Sequence, residues 1–318
     1  MISGGFEHPR AMATTPKVDP AMSIVDCHVH FIDAGQFRYP IFPERSAGFE
    51  ALVGDYSALP RRYLPADYLA DAAGLHIDGT VCAEFMSSTP FEELRWAQSL
   101  ADASGHPSGT IACVDFRDPD VEHTIEAYRA LGRVRAVRQH LAWHPTSDLL
   151  RFAQAPDLLD DVDWRRGLAS LRIHDLACEI EIFATQLADL TRVARNFPDL
   201  RFILPMMGWP IDLTEQGFRA WRSDMAGLAR CENVAVKIFG AECIFGLNWT
   251  VPQIRPWVLT TIELFGPTRC MFASLMPIAA LSRPMQDVYR AYEEIIEGFT
   301  PSERRHLFHD TAKSNYRV

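Results

Sequence analysis

The stretch that decides the fold is Ser23-Ile24-Val25-Asp26-Cys27-His28-Val29-His30-Phe31, an apolar run that ends on a His-x-His. Read as a strand, it alternates its side chains, so His28 and His30 leave the backbone on one face and Asp26 shares that face. Two imidazoles side by side are half of a metal site, or one part of an acid/base arrangement. They also sit at the C-terminal end of the run, where parallel α/β folds place their chemistry.

Outward from this run the pattern repeats. Short β-branched segments predict strands at 23–31, 79–86, 109–116, 134–143, 176–183, 201–207, 233–239 and 270–274. Between them, apolar residues at three- and four-residue spacing predict helices at 91–104, 121–131, 164–174, 186–196, 218–230, 252–265 and 285–299. Ser88-Thr89-Pro90 and Asp118-Pro119-Asp120 offer capping chemistry ahead of two of these helices. The alternation predicts an α/β fold, a (β/α)8 or TIM barrel forming one domain over residues 23–318. A doubly wound open sheet is the alternative. No Gly-x-Gly-x-x-Gly follows the first strand and no P-loop occurs, which counts against its nucleotide-binding form. Residues 1–22 have no apolar core and predict a flexible N-terminal tail, neither signal peptide nor membrane span.

Residues 33–67 break the rhythm and predict a long first βα loop over the barrel mouth. Its Phe37, Arg38, Tyr39, Phe42, Phe49 and Tyr56 either line a substrate pocket or pack onto the rim.

The composition narrows the partners. A chain of 318 residues, 48% hydrophobic, can bury a large core. Its net charge of -10 and lack of a basic run argue against nucleic acid or an anionic membrane as partner and leave a small-molecule substrate. Seven cysteines, scattered without a CxxC pair, read as reduced thiols of a cytoplasmic protein. Self-association stays open.

The segments "IVDCHVHFIDAGQFRYP", "YLPADYLAD", "AVRQHLAWHP", "ARNFPDLRFIL", "NVAVKI", "RCMFAS" and "LFHDTAKSNYRV" resemble, in this order, the amidohydrolase superfamily in its lactonase-type branch. That branch includes sugar lactonases, sulfomuconolactone hydrolase and pyrone-dicarboxylate lactonase. The resemblance implies a distorted TIM barrel whose mouth holds one or two divalent metals, such as zinc or manganese, or none. It places the strand 1 His-x-His on His28 and His30 and the strand 2 acid on Glu84. Three later positions depart from the family pattern. Thr185 and Met206 stand where histidines are expected after strands 5 and 6, and Leu275 where strand 8 should carry an acid. In hydrolytic members that acid deprotonates the attacking water, a contribution of roughly 10²–10⁴ in rate.

His28, His30 and Glu84 are thus expected to be catalytic, either as ligands of a metal or as acid/base groups without one. His144, in a loop facing the mouth, is expected to join them. Arg138 and His140 share a strand face, and the arginine suits a substrate carboxylate. Tyr39, Met206, Leu275 and Thr185 are expected to bind substrate in a pocket made drier by these replacements. Glu181 and Lys237, charged residues inside strands, predict either a catalytic role or a buried pair, Glu181 with Lys237 or Glu181 with Arg138. The expected activity is hydrolysis of a lactone or ester in a small cyclic, carboxylated or aromatic compound. The alternatives are a metal-independent decarboxylase, isomerase or cyclase, and a non-catalytic binding barrel.

Overall fold

A computed structural model describes residues 22–318, so the expected tail lies, apart from Met22, outside the described residues. Eight parallel strands form one sheet in sequence order: β1 (Ser23–Val29), β2 (His76–Ala83), β3 (Gly109–Cys113), β4 (Val134–His140), β5 (Ala177–Glu181), β6 (Phe202–Leu204), β7 (Val234–Ile238) and β8 (Cys270–Phe272). All eight form where the apolar runs predict them. Each ends before its run does.

The sheet closes between its first and last strands. Leu275 N donates to His28 O at 2.9 Å and His30 N to Met276 O at 2.8 Å. Asp26, fully buried, accepts from Ser274 N at 2.9 Å and from the Tyr68 hydroxyl at 3.0 Å. It ties this seam together.

Helices α1 (Ala47–Val53), α2 (Pro65–Asp71), α3 (Pro90–Ser104), α4 (Val121–Ala130), α5 (Val162–Ala169), α6 (Leu187–Asn196), α7 (Glu215–Ala229), α8 (Ala241–Phe245), α9 (Val251–Phe265) and α10 (Met285–Ile295) surround the strands. The long ones follow the predicted periodicity. In α6, Leu187, Leu190, Val193 and Ala194 form one buried face, and each buried Leu contributes about 1.5–3 kcal/mol. Helices α1, α2 and α8 span two turns or fewer and leave no periodic signal. Thr89 and Asp120 occupy the N-cap positions of α3 and α4 without making a side-chain cap bond.

The first loop is more ordered than its sequence suggests. It returns as a short ribbon, Ile32–Asp33 antiparallel to Arg62–Tyr63, and carries α1, whose Phe49 and Val53 are buried. Among the described residues, no helix is long and apolar enough to cross a membrane.

Candidate active site

The β1–β2 ladder slips register between Asp26 and Val29. Such an irregularity bends a strand and re-aims its side chains. The His28 and His30 rings meet edge to face, 5.0 Å between centroids. His28 also stacks on Phe239 at 4.4 Å, and its Nδ1 lies 2.8 Å from Lys237 Nζ. His30 Nδ1 lies 2.9 Å from Ala83 O. A carbonyl only accepts, so the His30 ring proton sits on Nδ1 and Nε2 keeps its lone pair. Burial, then the Arg138 charge, push its pKa down to about 3, and the ring stays neutral.

In-register pairing of β4 with β5 sets Arg138 opposite Glu179 and His140 opposite Glu181. Arg138 Nε donates to Glu84 Oε1 at 2.8 Å, and Met86 N donates to Glu84 Oε2 at 2.6 Å. Burial works against the Glu84 charge, yet Arg138 and then His140 hold its carboxyl well below the usual range. His140 Nδ1 lies 2.9 Å from Glu181 Oε1. Burial disfavours a charged His140 too, but Glu181 outweighs it and lifts the pKa to about 9. Glu181 in turn is held at about 2, because the charges of His140 and Arg138 overcome its burial.

Of these groups, His28, His30, Arg138, His140 and Glu181 line a cavity at the barrel mouth. The rest of its lining is largely apolar and includes Phe49, Phe85, Met206, Trp209, Phe239 and Leu275. Met86, Met206, Trp209 and Leu275 also hold left-handed backbone, with φ of 57°, 55°, 44° and 65°. Non-glycine residues there cost on the order of 1–3 kcal/mol each and persist where the surroundings over-determine them. All four line the cavity, so the strain is concentrated at the site.

The structure brings His28, His30, Arg138, His140, Met206 and Leu275 together around this cavity. Glu84 stands behind Arg138 and borders a neighbouring cleft with Asp115 and Gln139. Tyr39 is buried behind Phe85, with ring centroids 5.5 Å apart. Thr185 lines a separate cavity with Trp221. His144 is turned into its own loop, its Nδ1 accepting from Thr146 N and Ser147 N at 3.2 and 3.0 Å. Lys237 pairs with Glu179 at 2.8 Å, while Glu181 serves His140. Sequence reasoning missed Glu179, although it sits two residues before Glu181 and so shares its face. Phe85 and Phe239, which end strand runs, gave no signal beyond hydrophobicity.

The donors do not fit a resident divalent ion at this mouth. Among the described residues, Glu84, Cys113 and His140 bring one ligand atom each within 4.8 Å of one another, as do Glu122, Glu126 and His174 away from the cavity; neither set contains His28 or His30. In the first set Arg138 already pairs with Glu84 at 2.8 Å and Glu181 with His140 at 2.9 Å. Around His28 and His30, the positions of Met206 and Leu275 supply no hard ligand.

A model of the family described as "Amidohydrolase" matches residues 25–318. The uncharacterized protein y4mH of Sinorhizobium fredii is 34% identical over 300 residues, covering 93% of this chain and 99% of its own. An L-fucono-1,5-lactonase of Burkholderia multivorans is 25% identical, covering 92% of this chain and 95% of its own. A crystal structure of a Burkholderia multivorans amidohydrolase with bound zinc superposes with a TM-score of 0.76 at 23% identity, covering 93% of this chain and 99% of that one. With the family model spanning the whole barrel and a relative above 30% identity along it, the chain belongs to the amidohydrolase family.

Proposed function

We propose that this barrel hydrolyses a small lactone with a compact, largely apolar body, without a metal ion. The carrying observation is that two imidazoles in one cavity have opposite partners: His30 Nδ1 lies 2.9 Å from Ala83 O, which leaves Nε2 with a lone pair, and His140 Nδ1 lies 2.9 Å from Glu181 Oε1, which favours its charged form. Environments that drive like groups apart in this way mark one as proton acceptor and the other as a lasting positive charge. The similarity to an L-fucono-1,5-lactonase supports ester chemistry.

His30 Nε2 takes a proton from water as the water attacks the lactone carbonyl carbon. Negative charge then grows on the carbonyl oxygen, opposed by Arg138 and the His140 imidazolium in a water-poor cavity. Arg138 lines the cavity, and its Nη1 lies 3.8 Å from Glu181 Oε2. When the ring C–O bond breaks, His30 returns its proton to the ring oxygen and a hydroxy acid leaves. His30 is a weak base at this pKa, which suits an activated ester better than an amide. The substrate is a free small molecule, and the dispersed thiols suit a cytoplasmic setting.

A second reading is favoured by Leu275, which stands where the resemblance expects the water-activating acid: a decarboxylase or other non-hydrolytic enzyme. Turnover of a lactone panel in water of heavy oxygen isotope, followed by mass spectrometry, separates the two. Ring opening with one solvent oxygen incorporated supports hydrolysis. Carbon dioxide release, or a product without solvent oxygen, overturns it in favour of the second reading.

A further inference from the structure

Beneath the cavity floor lies a buried cation with three protons to place. Lys237 and Glu179 are both fully buried. Lys237 Nζ lies 2.9 Å from Glu179 Oε1, 3.3 Å from Cys27 O and 2.8 Å from His28 Nδ1. An ammonium group has three N–H donors and no lone pair. Three acceptors therefore take three protons, and His28 Nδ1 must be an acceptor. The single proton of the neutral His28 ring then stands on Nε2. Glu179, which anchors the ammonium, is itself held by a hydrogen bond from the Tyr316 hydroxyl.

We propose that Lys237 is a positioning residue that fixes His28 as the Nε2–H tautomer, so that the cavity presents a donor beside an acceptor. His30 has the opposite tautomer, since its Nδ1 donates to Ala83 O. Stacking on Phe239 and the edge contact with His30 hold the His28 ring plane. The two histidines, alike in sequence, then have unlike tasks. His30 accepts the proton of the attacking water, and His28 donates a hydrogen bond to the carbonyl oxygen as it becomes negative. The assigned task rests on the lactone reading; the tautomer rests on hydrogen-bond counting alone.

NMR of isotope-labelled histidine ring nitrogens tests this, with the His28 signals assigned by their loss in His28→Gln. The wild type should show a protonated Nε2 and a bare Nδ1. The double variant Lys237→Met, Glu179→Gln removes both charges together and leaves no orphaned buried carboxylate. It should shift His28 to a mixed or reversed tautomer. It should also lower kcat by roughly 10²-fold, the effect of losing one transition-state donor, with KM little changed. A wild-type ring protonated on Nδ1 overturns the proposal whether or not the variant folds, as does an unchanged tautomer in the variant. If the tautomer behaves as expected but the wild type opens no lactone, the lactone reading fails and the role of Lys237 in fixing His28 stands.

Discussion

Glu181 holds His140 as a cation: its Oε1 lies 2.9 Å from Nδ1 and lifts the imidazole to about 9 against the effect of burial. The pairing follows from register, since the two residues sit opposite each other on neighbouring strands.

The first prediction concerns pH. His140 keeps its charge up to about 9 and His30 stays unprotonated down to about 3, so kcat/KM should be flat between these limits and fall above the upper one. In Glu181→Gln the alkaline fall should move down toward the ordinary histidine value of 6.5. Because the folded pKa of His140 is raised, its contribution to stability is full below 6.5 and is lost as pH rises through about 9. Rate profiles and urea midpoints across this range check both; an unmoved alkaline limb in the variant would refute the assignment.

Removing Arg138 should cost more than removing the pair. Arg138→Met leaves the Glu84 charge buried and unmatched and should lower stability by about 3–5 kcal/mol. Adding Glu84→Gln should restore most of that loss. Denaturant unfolding of the single and double variants measures the difference, and equal stability of the two would show that the pair is not coupled.

Gly240→Ala should be felt in the cavity as well as in stability. Gly240 has φ +74°, and a Cβ there would stand 2.8 Å from Met206 Cε. The left-handed backbone costs about 1–2 kcal/mol for alanine, and Met206, which lines the cavity, must shift. We expect a lower Tm together with a raised KM. A fall in Tm with unchanged KM would mean that Met206 yields in another direction.

An apolar lactone should be preferred over L-fucono-1,5-lactone. Sugar hydroxyls set against Phe85, Trp209, Phe239 and Leu275 find no partners, and each unpaired buried hydroxyl costs about 1–3 kcal/mol. The ratio of kcat/KM values should therefore be roughly 5- to 150-fold for a single unpaired hydroxyl. Equal values would indicate hydrogen-bonding groups supplied by a rearranged mouth.

Chelation should leave activity intact. Dialysis against a strong chelator is expected to change neither rate nor Tm, since Glu84 is taken by Arg138 and the strand 6 and strand 8 positions are Met206 and Leu275. Loss of rate that zinc restores would overturn the metal-free mechanism.

The barrel was legible because its strands are short β-branched runs at regular intervals and its long helices have one apolar face. Alternation also brought Arg138 and His140 to a common face. The first loop was legible only in outline: its place over the mouth was read, but α1 and the ribbon are too short for periodicity, so the sequence could not tell Phe49, which lines the cavity, from Tyr39, which is buried behind Phe85. His144 was read as facing the mouth because it follows a strand, yet two backbone N–H groups of its own turn capture the ring. For Thr185, position after a strand was not enough, because the turn carries it to the neighbouring cavity. Lys237 was expected to be paired, but Glu179 and Glu181 lie on one strand and one face, so choosing between them requires the height of Lys237 relative to that strand along the barrel axis, which one chain's periodicity does not contain.

The hydrogen bond from Tyr316 to Glu179 has a consequence for biosynthesis. It links Tyr316 to a strand 137 residues earlier and, through Lys237, to a histidine on the first strand. During translation the pocket's first histidine therefore emerges long before the hydroxyl that completes the network beneath it. A nascent chain can therefore build most of its barrel and still lack a finished cavity floor, and arrested or clipped products that end before Tyr316 should fold further than they function.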